Sequence, residues 1–347
     1  MSISTTQRPP LCLLALLLLL LSACGGAPAT PPASAPLEEA APEPVTVRMG
    51  YVPVIIFAPM YVAIERGYFA EEGITVELTS FQSTNDAVVQ LGAGNSDVAI
   101  AGANAGLFNA IARGLDLTIV APMHSERPPL ATPLIISANR VDELTSIADL
   151  RGGTLGVNGN GSAIEYWLAQ ALAQGGVGID EVTIQAVPFP AMPAALENGT
   201  LDAAVMSEPL VTINQDQGLI AVLSDDYLDG FTATYVIMHQ AWLDANPDAA
   251  RRFLRAYLRA CQDLQGDYMT PEIAAIIEQY TEVPAPVIER SNLSYYQPDG
   301  TIPLQDIATL QTFFLERGVL EYNEALDVNS FVNTTLVTEV AGELIGE

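Results

Sequence analysis

One ten-residue pattern occurs twice and constrains the chain more than any other stretch. Leu91-Gly92-Ala93-Gly94-Asn95-Ser96-Asp97-Val98-Ala99-Ile100 is answered by Leu196-Glu197-Asn198-Gly199-Thr200-Leu201-Asp202-Ala203-Ala204-Val205, with Leu, Gly, Asp and Ala on the same places. In each copy an apolar-periodic segment runs into a glycine, a short polar turn follows, and small and β-branched residues then read as a buried strand. Any α/β protein can repeat such a step by chance, but an aligned L-x-x-G-x-x-D-x-A favours two related lobes. Ligands of open α/β sheets bind at the carboxyl ends of strands, which here are Gly102-Ala103-Asn104 and Ser207-Glu208-Pro209.

Charge narrows the partners. The chain has 347 residues, half of them hydrophobic, enough for two domains of ordinary size. Its 13 cations, all arginine, face 41 carboxylates, for a net charge of −28. Such a chain repels nucleic acid and anionic lipid surfaces, so neither is an expected partner.

The first residues read as an address. Arg8 precedes an apolar run, Leu11 to Leu21, that is too short to span a bilayer and has the length of a signal-peptide core. Leu21-Ser22-Ala23-Cys24-Gly25 resembles a bacterial lipobox, which implies cleavage before Cys24 and lipidation of its thiol. Gly25 to Pro44 is dominated by Ala, Pro, Gly and Ser and reads as a spacer. Cys261 is then left alone in an apolar-faced helix, so it is expected to be buried and inert, with no disulfide framework and no metal-ligand spacing.

From Val45 onward strand and helix signals alternate. Val45 to Tyr51, Ile74 to Leu78 and Asp97 to Ala101 read as strands, with helices from Ala58 to Arg66 and Asn85 to Leu91 between them, which implies a parallel sheet. Leu134 to Ile136 and Thr234 to Met238 read as strands crossing between lobes. Ser162 with Glu165 forms a capping-box pattern and is expected to start a helix from Ala163 to about Gln174, its free N–H groups facing the cleft; a purely capping role for Ser162 remains open. Asn246-Pro247 and Thr270-Pro271 each read as a helix start, and Arg251, Arg252, Arg255 and Arg259 as a solvated face pairing with carboxylates.

The stretch from Ala63-Ile64-Glu65-Arg66-Gly67-Tyr68-Phe69 to Thr75-Val76-Glu77 resembles the solute-binding proteins of importers for alkanesulfonates, nitrate, thiamine pyrimidine precursors and riboflavin. The resemblance continues through Ile147 to Gly152, Leu201 to Pro209, and Ala241-Trp242-Leu243 with Asn246 to Ala250. It implies an α/β, two-lobed periplasmic-binding-protein fold, with a ligand cleft between lobes, two crossing strands, and delivery to an ABC permease and its ATPase. On that basis residues 1–23 are a signal peptide, 24–44 a lipidated cysteine and linker, 45–133 the first lobe, 134–235 the second, and 236–347 the return to the first with C-terminal helices.

Cleft chemistry bears on the ligand. Sulfonate, nitrate or phosphate pockets need Arg, Lys or converging N–H donors, and at the strand ends Arg127 is the strong cationic candidate. Tyr51, Phe57, Tyr61, Trp167 and Phe189 offer aromatic faces, while Asn104, Gly161, Ser162 and Glu208 offer polar groups. A carboxylate such as Glu208, between a buried strand and a proline, needs a partner that a ligand N–H or hydroxyl can supply. The expected ligand is therefore a flat heterocycle. Within the resembled family this points to riboflavin, with a thiamine pyrimidine precursor, an alkanesulfonate or nitrate as alternatives, and with no cofactor. A pyrimidine synthase of the same fold is the competing enzyme class; it needs a lysine and a cysteine-rich motif, and this chain has no lysine.

Overall fold

Both copies of the repeated motif close a helix onto a strand by the same device. A computed structural model describes residues 43–346, so the signal segment, Cys24 and most of the spacer lie outside the described residues. Helices Thr84–Gly92 and Met192–Glu197 each bury the motif leucine, Leu91 and Leu196, completely. The chain then turns through Gly94 and Gly199 at φ of 73° and 74°, a left-handed conformation that glycine adopts at little cost.

The motif aspartate fixes the next strand. Asp97 accepts the backbone N–H of Arg48 at 2.9 Å and its guanidinium at 2.6 and 3.0 Å, while its own N–H returns to Arg48 O at 2.9 Å. Asp202 repeats this with Thr154 N at 2.8 Å, the Arg140 guanidinium at 2.6 Å, and its own N–H to Thr154 O at 2.7 Å. One side chain thus sets strand register and helix exit in each lobe.

Two five-stranded sheets result, with matching topology. In the first, Ile74–Ser80 (β2), Val45–Tyr51 (β1), Val98–Gly102 (β3), Thr232–His239 (β10) and Leu117–Ser125 (β4) lie in the order β2-β1-β3-β10-β4. The second runs Thr183–Ala186 (β7), Thr154–Val157 (β6), Ala203–Val205 (β8), Leu134–Ser137 (β5) and Ile220–Ser224 (β9), in the order β7-β6-β8-β5-β9. The expected parallel pairing holds for β1 with β2 and β3 and for β6 with β7 and β8. β10 and β5, however, pair antiparallel with both neighbours, because each enters its sheet from the other lobe.

The crossings differ from expectation accordingly. Leu134 to Ile136 lies within the second sheet and Thr234 to Met238 within the first, and residues 126–133 and 225–231 make the passages. β10 enters the first sheet at Thr232, a few residues before 236. Helix Pro247–Asp263 packs on the first lobe, with Arg251, Arg255 and Arg259 paired to Glu339, Glu343, Glu72 and Glu71. Its Cys261 is fully buried and its thiol is pushed up to about 12 by desolvation.

Partial burial works against the charged form of Asp202, but the Arg140 and Thr154 donors outweigh it and hold its carboxyl below the usual range near 4. A depressed acid contributes stability that is present above its unfolded value and is lost as pH falls through the folded one. Asp202→Asn is therefore expected to lower unfolding free energy by about 1 kcal/mol at pH 7. The gap from wild type should close as pH drops below about 4, as measured by urea unfolding across pH.

Candidate functional site

The carboxyl ends of the parallel strands in both sheets face one another across a cavity. From the first lobe it is lined by Val52, Val54, Ile56 and Phe57 after β1, Gly102 at the end of β3, His124 near the end of β4, and Thr234. From the second come Asn158, Ser162, Ala163 and Trp167 after β6, Phe189 after β7, and Ser207 after β8. The free space is small, about 40 Å³, room for a few waters.

Direct contacts between the lobes account for that narrowness. Ala105 N–H donates to Gly161 O at 2.9 Å, Asn85 Nδ2 to Asn160 O at 2.9 Å, and Ile55 N–H to Glu208 O at 3.0 Å. Arg317, just past helix Leu304–Glu316 of the first lobe, reaches Asp180 at 2.9 Å and Glu165 at 3.7 Å in the second. Burial pushes the Glu165 carboxyl up, against the Gly161 N–H and Arg317, which pull it down. A ligand larger than a few waters enters only when these contacts part.

The loop after β1 is held from beneath. Tyr61 is fully buried and its hydroxyl donates to Val52 O and Val54 O at 3.2 and 3.3 Å, while Tyr296 donates to Ile55 O at 2.8 Å. These bonds fix the wall that presents Phe57.

Of the residues singled out from sequence, Phe57, Ser162 and Trp167 line the cavity, as does Phe189. Gly161 stands at the lobe contact with φ +67°. Ser162 does not cap its helix: Ile164–Gln174 takes Ala163 as N-cap, and Glu165 reaches back to Gly161 N at 2.5 Å instead. The Ser162 hydroxyl is thereby left buried without a partner.

Four others fall elsewhere. Tyr51 packs edge-on against Phe57, Tyr61 and Tyr280, beside the cavity wall. Asn104 is fully buried and caps helix Ala105–Ala112 through Leu107 N at 2.8 Å, its Nδ2 lacking a partner. Arg127 lies past the end of β4 on a separate, open groove, its guanidinium 3.5 Å from the Tyr295 ring centroid. Glu208 has the partners it needs within the chain: Thr212 N at 3.0 Å, Thr212 Oγ1 at 2.9 Å and Asn292 N at 3.4 Å. Burial pushes its carboxyl up despite these donors, and its neighbour Ser207 is the cavity residue.

Sequence reasoning missed His124, Asn158, Thr132 and Thr234. A strand drawn from Leu117 to Ser125 would have placed His124 at a carboxyl end, where the strand-end rule points. On cavity-lining residues, His124 Nδ1 and Nε2, Asn158 Oδ1, Ser162 Oγ and Trp167 Nε1 are all buried without a hydrogen-bond partner. Buried polar atoms are rarely left unpaired, so five on one lining make this cavity the candidate site.

Two like-folded lobes, joined by two passages and closing on a cavity of aromatic faces and unpaired polar atoms, define a two-lobed solute-binding protein. The chain belongs to the NMT1-like family, matched over residues 40–278, as the stretches from Ala63 and from Leu201 led one to expect. It is 34% identical over 244 residues to the riboflavin-binding protein RibY of Chloroflexus aurantiacus, covering 68% of this chain and 67% of that protein. It is 26% identical over 283 residues to the nitrate/nitrite binding protein NrtA of Nostoc sp., covering 74% of this chain and 63% of that one. Among solved structures, the alkanesulfonate-binding protein SsuA from Xanthomonas axonopodis pv. citri matches with a TM-score of 0.70 at 20% identity, over 85% of this chain and 100% of that one.

A Cβ at Gly161 would stand 2.9 Å from Ala105 Cβ across the lobe contact, whereas one at Gly94, also at positive φ, meets open space. Both Gly161→Ala and Gly94→Ala carry backbone strain; the clash is specific to the closed lobes. Gly161→Ala is expected to enlarge the radius of gyration in small-angle scattering and to weaken ligand binding roughly tenfold, about 1.4 kcal/mol. Gly94→Ala should leave both unchanged.

Proposed function

We propose that this chain is the ligand-capturing component of an ABC importer and that its ligand is a flat, largely uncharged heterocycle, best represented by riboflavin. The observation that carries this reading is the lining itself. Phe57, Trp167 and Phe189 supply aromatic faces, and among the described residues no arginine lines the cavity, in a chain without lysine. An anion pocket needs cations or several converging donors, while a flat ring needs faces and a few edge contacts. The likeness to RibY supports riboflavin over the pyrimidine precursor.

Nitrate or an alkanesulfonate is the second reading, favoured by the small size of the space between the closed lobes and by the likeness to NrtA and SsuA. A flavin requires the lobes to part further before they close on it. Closure then responds to ligand only to the extent that the ligand binds the closed arrangement better than the open one. In this reading the protein binds and does not catalyse, and the permease with its ATPase recognises the closed, loaded form.

The same reading places the chain on the extracytoplasmic face of the cell membrane, tethered through lipid on Cys24. In that reading the acyl chains on Cys24 hold the protein, their buried methylenes supplying the affinity; among the described residues no helix is long and apolar enough to cross a membrane.

Titration of the purified protein from residue 25 onward with riboflavin, a thiamine pyrimidine precursor, an alkanesulfonate and nitrate tests the ligand. Riboflavin is expected to raise the unfolding temperature saturably, by an amount set by ligand excess over Kd. Trp167→Ala should abolish that rise and Arg127→Ala should not; stabilisation by the anions alone would refute the heterocycle reading. For the tether, Cys24→Ser in the full chain should move the protein from the membrane fraction to the soluble one and end incorporation of labelled palmitate.

A further inference from the structure

We infer that His124 is the first lobe's polar ligand contact and a residue that couples ligand capture to closure. This rests on the reading that the interlobe cavity is the ligand site.

Of the cavity-lining residues with unpartnered buried polar atoms, Asn158, Ser162 and Trp167 belong to the second lobe, and His124, on β4, belongs to the first. A ligand whose polar edge meets only the trio gains no hydrogen bond from the first lobe when the lobes close. One that also meets His124 touches both lobes, and that added contact exists only when they are together. His124 therefore adds a directional contact to the apolar ones of the first lobe, and that contact contributes to the difference in affinity that drives closure.

The ring is placed for this. It is 3% exposed and lies nearly parallel to Trp167, at 20° with centroids 6.3 Å apart, and Trp167 in turn stands edge-on to Phe231. Both rings line the same cavity, so a planar group held there stands beside both. Behind the ring is Glu126, fully buried, with Oε2 accepting Ala131 N–H at 2.9 Å and Oε1 3.6 Å from His124 Nε2. That separation is too long for a hydrogen bond, so both ring nitrogens remain for other partners. Its ring nitrogens can serve both a donor and an acceptor on a ligand's edge. The ligand class this suits is a flat ring whose edge carries N–H and C=O groups side by side.

The test compares wild type with His124→Met, which keeps bulk without the ring nitrogens, and His124→Gln, which restores a donor and an acceptor. Binding of riboflavin, nitrate and the sulfonate MOPS is measured by calorimetry. Compaction on binding is followed by small-angle scattering, and the unfolding temperature is taken without ligand. For whichever probe binds wild type, His124→Met is expected to weaken affinity ten- to a hundredfold and to abolish compaction, while calorimetry at higher ligand concentration still reports residual binding; His124→Gln should recover part of both. Unpartnered nitrogens give the ligand-free fold nothing, so its unfolding temperature should stay level or rise in His124→Met. Unchanged binding and compaction in His124→Met, or a fall of more than about 5 °C without ligand, overturns the inference, whichever probe binds. If riboflavin fails on wild type while nitrate binds and His124→Met weakens it, the riboflavin reading falls and the role of His124 stands.

Discussion

Each lobe depends on one carboxylate. Asp97 and Asp202 sit where a helix has just ended and a strand is about to begin, and each exchanges hydrogen bonds with one residue of the neighbouring parallel strand, Arg48 or Thr154. The bond pair fixes where β3 and β8 lie against β1 and β6, and so fixes where the strands stop. Because the two stops face one another, the cavity inherits its shape from this register. The arginine on each aspartate, Arg48 or Arg140, balances a charge that would otherwise be costly to leave half-buried.

The cavity wall follows the opposite rule. Beside it, buried polar groups such as Glu208 on Thr212 and Tyr61 on Val52 and Val54 are satisfied within the chain. On the wall, the atoms of His124, Asn158, Ser162 and Trp167 are not. Unpaired buried polar atoms cost stability, and a protein that retains several in one place is storing binding energy for a partner. Small contacts hold the lobes together meanwhile, backbone pairs and an arginine at the rim, none large enough to prevent parting. The arrangement suits hinge closure, in which a few bonds are exchanged for better ones when the ligand spans both lobes.

Much of this was legible in the sequence because its signals are local. Glycine after an apolar period, a threonine before a proline, and alternation in Val45 to Tyr51 each report a few consecutive residues, and helices and strands followed within one or two positions. Pairing direction was not local. β10 and β5 are antiparallel because the chain returns from the other lobe, and no short window contains that fact. Phe57 was legible because the strand before it, Val45 to Tyr51, ends where the sequence says it does. His124 was passed over because β4 was not drawn, and Arg127 was favoured although it lies beyond the strand, on the passage between lobes. Glu208 could have been read correctly: an acid before a proline with a threonine four residues on is a helix start that satisfies itself.

A crystal structure of the protein grown with riboflavin tests the central claim most directly. The account predicts the isoalloxazine ring between the lobes, one face toward Trp167 or Phe189, with its polar edge bonded to His124 on one side and to Asn158 or Ser162 on the other. Density for the flavin on the Arg127 and Tyr295 groove, or a cavity that admits only a small anion, would contradict it.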